Sequence, residues 1–193
     1  MPRIVDHDAR RDELARAGIE LVAARGVAAL SVRNLAAASG WSAGAVRHYL
    51  PTHADIVALV SDRVRSDFER RLEAVPESSD PVEMLRALLR AGLPLDAESQ
   101  QLSQVWFAFL GAGMHQGSGA SALVYAELFA ALVRFFELMQ QSGRLTVDSP
   151  AHAARTLQAQ FDGVTVHLLS GHLQQGEALA TLDQVLASLL TRG

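Results

Sequence analysis

Seven histidines and no cysteine set the first limit on what chemistry this chain can do. Without thiols there is neither a disulfide framework nor a thiolate metal site. His167 and His172 stand five apart. That spacing is roughly 140° around a helix, so they do not converge as an i, i+4 pair of ligands would. His48 and His53 share the spacing and have a helix break between them. No Walker loop, dinucleotide fingerprint, G-x-S-x-G elbow or H-E-x-x-H pair is present. The sequence therefore predicts no catalysis, no cofactor and no metal. A different chemistry is written between Ser31 and Leu50. Ala43, Gly44 and Ala45 are small enough for close approach to bases or phosphates, and Arg47 and His48 supply donors. Ala43, Gly44 and Arg47 share one side of a helix, because positions three and four apart align.

The elements that must position these residues are helices. No segment sustains period-2 alternation, and the apolar residues fall at helical spacing, which predicts an all-α chain of about nine helices with almost no sheet. The first runs from about Asp8 to Arg25, with Leu14, Ala17, Leu21 and Val22 as its stripe and Gly26 as its stop. A short second helix follows Ser31 as N-cap and ends at Gly40; Ser42 caps a third that reaches Tyr49 or Leu50 before Pro51. Leu35, Ala36, Val46 and Tyr49 can pack these two together. Thr52, with Asp55 three residues on, starts a long fourth helix whose stripe is Ile56, Val60, Val64, Phe68 and Leu72, continuing to Val75. After the linker Pro76 to Pro81, five helices are expected over Pro81 to Leu93, Asp96 to His115, Gly119 to Ser142, Ser149 to Gly171 and Glu177 to Thr191. Two short helices joined by a Gly-containing turn are what a DNA major groove requires; an ordinary αα-hairpin in a bundle core has the same spacing.

Net charge is -4 and every basic residue is arginine. Through residue 53 there are seven arginines against five acids, and beyond it ten against sixteen. A basic head on an acidic body is compatible with DNA at one end, since phosphate neutralisation is local. The N-terminal residues lack the apolar core of a secretory signal, so the cytoplasm is the expected compartment. The longest apolar stretch, Val105 to Met114, is too short for a membrane span, which needs roughly 20 residues.

Leu35-Ala36, Ser39-Gly40-Trp41-Ser42, Gly44, His48-Tyr49-Leu50 and Ile56, preceded by Gly26, resemble the DNA-binding head of the TetR family in order and spacing. The resemblance implies a helix-turn-helix domain over 1–53 and an effector-binding and dimerisation domain over 54–193. It also implies a homodimer bound to a near-palindromic double-stranded DNA operator, and repression relieved by a small-molecule effector. The residues placed at DNA on this reading are Ser31, Ser42, Ala43, Gly44, Arg47, His48, Tyr49 and His53. Arg3, Arg10 and Arg11 would form an arm on the minor groove or backbone, or a solvated N-terminus. The family often has Tyr at the position of Arg47 and usually Lys at that of His53. A neutral His there offers a hydrogen bond but no charge, which shifts the phosphate grip toward Arg47.

The body, through Val105-Trp106-Phe107-Ala108-Phe109 and Phe161-Asp162-Gly163-Val164, is similar to the C-terminal domain of the choline-responsive repressor branch. Trp106, Phe107 and Phe109 spread around one helix and cannot all face one core, so at least one looks into a cavity or an interface. Met114, His115, Tyr125, Phe129, Phe161 and His167 are the other candidate walls, with core packing as the competing reading for each aromatic. Asp162 can anchor a cationic effector, or cap or pair at a dimer surface. Leu179, Leu182, Leu186 and Leu189, with Val164, Leu168 and Leu169, are the expected dimer surface, burial within one chain being the alternative. A helical protein-interaction module and, more remotely, a small-molecule enzyme are the competing functions.

Overall fold

The computed structural model describes residues 7–116 and 120–191, and the side chains of these except at 7, 114–116 and 120–123. Nine α-helices follow one another among the described residues: α1 (His7–Arg25), α2 (Val32–Ser39), α3 (Ala43–Tyr49), α4 (His53–Glu73), α5 (Pro81–Gly92), α6 (Ala97–Gln116), α7 (Ala120–Gln141), α8 (Pro150–Leu169) and α9 (Gln175–Leu189). A 3-10 turn, Val27–Ala29, lies between α1 and α2. They form two compact units, one of residues 7–74 with 101–116, the other of 75–100 with 120–191.

In the first unit the apolar stripes of α1 to α4 converge. Leu14, Leu30, Leu35, Leu50, Ile56 and Val60 are each at most 1% exposed, and Leu102, Val105 and Phe109 of α6 join the same cluster. Gly18 lets α1 meet α4: a Cβ built on it would stand 2.3 Å from Val60 Cγ2. Further along α4 the buried face turns from apolar to ionic. Asp67, 6% exposed, receives both oxygens' worth of bonds from Arg63 Nε at 2.8 and 2.9 Å and is also paired by Arg70. Arg63 Nη1 then reaches Asp12 of α1 at 2.7 Å. Burial alone would lower the Arg63 pKa; the bonds and charges of Asp67 and Asp12 outweigh it and hold the guanidinium above its ordinary value. Phe68 and Leu72, expected on the stripe, are only half-buried because Asp67 occupies the inward position.

The second unit packs α5, α7, α8 and α9 around Phe136, Ala153, Ala154, Leu157 and Leu186, none more than 1% exposed. Asp80 and Pro81 start α5, and Ser149 and Pro150 start α8, each pair a side-chain cap followed by a residue with no N–H to satisfy. The α9 helix begins two residues before its predicted start. Gln174 and Glu177 form a reciprocal capping box there. It also ends earlier than predicted, at Leu189, because Leu190 turns extended and pairs with Leu145 in an isolated antiparallel bridge. Thr146 N donates to Leu189 O at 2.9 Å and Thr191 N to Arg144 O at 2.8 Å. No period-2 pattern marks so short a pairing in the sequence.

Candidate nucleic-acid interface

The helix-turn-helix is set by its caps. Ser31 Oγ accepts from Asn34 N at 3.2 Å, and Asn34 Nδ2 donates to Ala29 O at 2.8 Å, which fixes the entry to α2. Gly40, at φ 74°, ends α2 in the left-handed conformation that an L side chain resists. Ser42 Oγ accepts from Ala45 N at 3.1 Å and starts α3. Inward, Val46 and Leu50 are fully buried. Outward, Ala43, Gly44, Arg47 and His48 are all exposed and form one face. A Cβ on Gly44 would meet only Ser42 Oγ, at 3.9 Å, so nothing in the chain's own packing requires a glycine there.

Tyr49 is half-buried rather than presented, its ring set edge-on to Trp41 at 5.5 Å and to His48 at 5.4 Å. Arg10 lies over the other part of this assembly, its guanidinium 5.1 Å from the Trp41 ring centre and 3.2 Å from Glu13. Arg10 is thus held against the turn and is not part of a loose arm. Arg11 is exposed and close enough to Asp55 to act on its charge. Arg3 lies outside the described residues. Trp41, quoted from the sequence only within the family motif and given no role there, meets Arg10 of α1 on one side and Tyr49 of α3 on the other; an aromatic inside a tight turn was the available signal. A second overlooked signal is that Arg25, Arg33 and Arg47 are exposed in a stretch with no acid between Glu20 and Asp55.

The grip at the start of α4 differs from expectation. Thr52 and Asp55 complete a capping box: Asp55 N donates to Thr52 Oγ1 at 3.1 Å, and Thr52 N donates to Asp55 Oδ2 at 2.9 Å. The Thr52 hydroxyl, then its backbone N–H, hold the Asp55 pKa below its ordinary value. His53 was placed at DNA as a hydrogen-bond donor. Its Nε2 instead donates to Leu30 O at 3.1 Å, so in the neutral ring only the acceptor Nδ1 is left. The backbone N–H groups of that helix start are unaffected.

In the body the proposed pocket residues separate. Phe109 is buried in the core of the first unit with Leu102 and Val105, and Trp106 packs against that core; for Phe109 the packing reading replaces the pocket reading. Phe107 is half-buried. In the second unit Phe161 packs with Leu93, Val164 and Leu182, its Cζ filling the space a Cβ on Gly92 would need, 3.1 Å away. Phe129 lies under Arg155, 5.0 Å from ring centre to guanidinium. His167 is exposed, its ring 6.1 Å from that of His172, and is not a wall. The side chains of Met114 and His115 lie outside the described residues. Asp162 is brought to Tyr125: burial raises its pKa, and the Tyr125 hydroxyl pulls the other way. One turn on, Thr165 is 2% exposed with its hydroxyl unbonded among the described residues.

Of the expected dimer surface, Val164, Leu182, Leu186 and Leu189 are each at most 4% exposed inside their own chain. They face α5, α7 and the opposite helix of the α8–α9 pair and leave no area for a second copy. Leu168, Leu169 and Leu179 are half-buried. Among the described residues no three His, Asp or Glu side chains gather as a metal site, and no helix is long and apolar enough to cross a membrane.

Residues 81–191 match the family profile described as BetI-type transcriptional repressor, C-terminal. The chain belongs to the BetI-type repressors of the TetR family. The regulator PksA of Bacillus subtilis is 28% identical over 172 residues, covering 88% of this chain and 83% of PksA. BetI of Stenotrophomonas maltophilia is 29% identical over 170 residues, 85% of this chain and 83% of BetI. A solved regulator from Saccharomonospora viridis, in complex with choline, superimposes with a TM-score of 0.77 at 18% identity, covering 96% of this chain and 100% of the other. This TetR-family protein is a transcriptional regulator and not an enzyme, and its all-helical architecture is that of its solved neighbours.

Proposed function

We propose that this repressor binds a near-palindromic DNA operator as a homodimer, each copy laying α3 in a major groove, and leaves it when a small molecule enters the body. The observation that carries the DNA half is the outward face of α3. Its exposed side chains are two small residues and two donors, Ala43, Gly44, Arg47 and His48, on a helix braced from behind by Val46 and Leu50. Ser31 and Ser42 start the two helices beside the phosphates, Arg10 and Arg11 add charge from α1, and Tyr49 and Trp41 hold the assembly rigid. Arg47 carries the main side-chain contact, because His53 has spent its donor on Leu30.

For the effector, Asp162 and the unbonded Thr165 hydroxyl offer an acceptor and a donor on one stretch of α8, with Tyr125 alongside. A small ammonium compound suits that pair, the desolvated carboxylate gaining most from a cation. Choline in the Saccharomonospora neighbour is an example of the class. Dimerisation uses the exposed side of α8 and α9, where Val166 is 44% exposed and the small residues Gly163, Ala180 and Ala187 are exposed as well. A protein with this task works in the cytoplasm.

The test is a fluorescence titration on DNA flanking the protein's own coding region. Sequence-specific binding is expected. Arg47→Ala should weaken it and lessen the slope of log affinity against log salt by about 0.9 per copy. Binding that ignores both salt and Arg47 would instead support a protein-interaction role for the head.

A further inference from the structure

A recess separate from Asp162 lies in the second unit between α5 and α9, about 230 Å³ in volume. Leu182 and Leu186, 4% and 1% exposed, form its floor, and Leu89 and Leu179 its walls. Its rim holds four charges, which are not equivalent. Arg86 Nε donates to Asp183 Oδ1 at 2.6 Å across the recess, and the same guanidinium is paired with Glu83. Both acids are therefore already matched to one arginine. Arg90, exposed and one helical turn further along α5, has no ion pair among the described residues. The rim as a whole is neutral, two arginines against two acids, but both acids are engaged by Arg86, and Arg90 is the rim charge with no ion pair among the described residues; its planar fork suits a carboxylate.

We infer that this recess is a second ligand site, distinct from the effector position, for a small amphipathic carboxylate whose apolar body lies on the leucines and whose carboxylate pairs with Arg90. A cation would find both rim acids already engaged by Arg86, and a neutral amphiphile would leave Arg90 unmatched. The volume admits the body of a medium-chain amphiphile. A bound ligand would bridge α5 and α9 beside the existing Arg86 to Asp183 contact.

Octanoate is a suitable probe, titrated calorimetrically into the full-length protein with 1-octanol and octylamine as controls. Octanoate should bind more tightly than either control. Arg90→Gln should weaken octanoate about tenfold, the worth of a charge-assisted pair, and leave octanol unchanged. Leu179→Trp, which fills the recess, should abolish binding of both, while Asp162→Asn should leave octanoate affinity as it was. Operator affinity, read separately, should be unaffected by Arg90→Gln, so failure here is distinct from failure of the DNA reading. The inference is overturned if octanoate does not bind at millimolar concentration, binds Arg90→Gln equally well, or binds no better than octylamine.

Discussion

Single side chains on α3 and α8 divide the demands of folding from those of recognition. Gly44 is helical, exposed and free of neighbours, so Gly44→Ala should leave the fold intact or stabilise it by about 0.4–1 kcal/mol. If the glycine serves DNA, the same change should weaken operator binding, and thermal melting beside a DNA titration separates the two. Asp162 presents the opposite conflict. Its folded pKa is raised by burial, so its contribution to stability is present below its unfolded value and lost as pH rises through the folded one. Asp162→Asn should therefore raise the melting temperature at neutral pH, with the gain shrinking as the pH falls into the carboxylate range. An unchanged difference across pH would show that the carboxylate is not the destabilising group. Ser31, Ser42 and Gly40 were legible as caps because a cap acts within a few residues of chain. The engagement of His53 with Leu30 was not, since the two are 23 positions apart and nothing local announces the contact.

Among the elements, α1 and α4 are joined twice, by contact at one end and by charge at the other. Gly18 permits the contact. Gly18→Ala would drive a methyl into Val60, a fully buried side chain with little room to turn, and should cost about 1–3 kcal/mol in chemical denaturation. A neutral effect would mean that the two helices slide apart easily. The ionic end, Asp12 to Arg63 to Asp67, was invisible in the sequence, because Asp12 and Arg63 are 51 positions apart. Helix positions, by contrast, were readable to within two residues wherever Ser-Pro, Asp-Pro or Gly marked an end. The start of α9 was harder because Gln174 is an unusual cap. Its leucines were expected at a dimer surface, yet Leu182, Leu186 and Leu189 are accounted for by burial against α5, α7 and α8.

At the scale of the whole molecule, the two heads of the proposed dimer, related by a two-fold axis, would constrain the operator more than any one contact does. Successive major grooves on one face recur every 10–10.5 base pairs, about 34–36 Å. Inserting about five base pairs between half-sites turns one of them to the far side of the duplex, and should abolish dimer binding; about ten should restore part of it. Equal binding to all three spacings in a gel shift would show that each head acts alone. Charge follows the same division: the excess of acids beyond residue 53 keeps the body from competing for phosphates.

The stacking of Arg10 on Trp41 has an optical consequence. The chain holds two indoles, Trp41 beside the recognition helix and Trp106 on α6. In a Trp106→Phe protein all tryptophan emission would arise next to α3, from a ring lying under a cation that sits beside the proposed phosphate path. The head would then report its own occupancy without an attached dye, and its unfolding could be followed separately from that of the body.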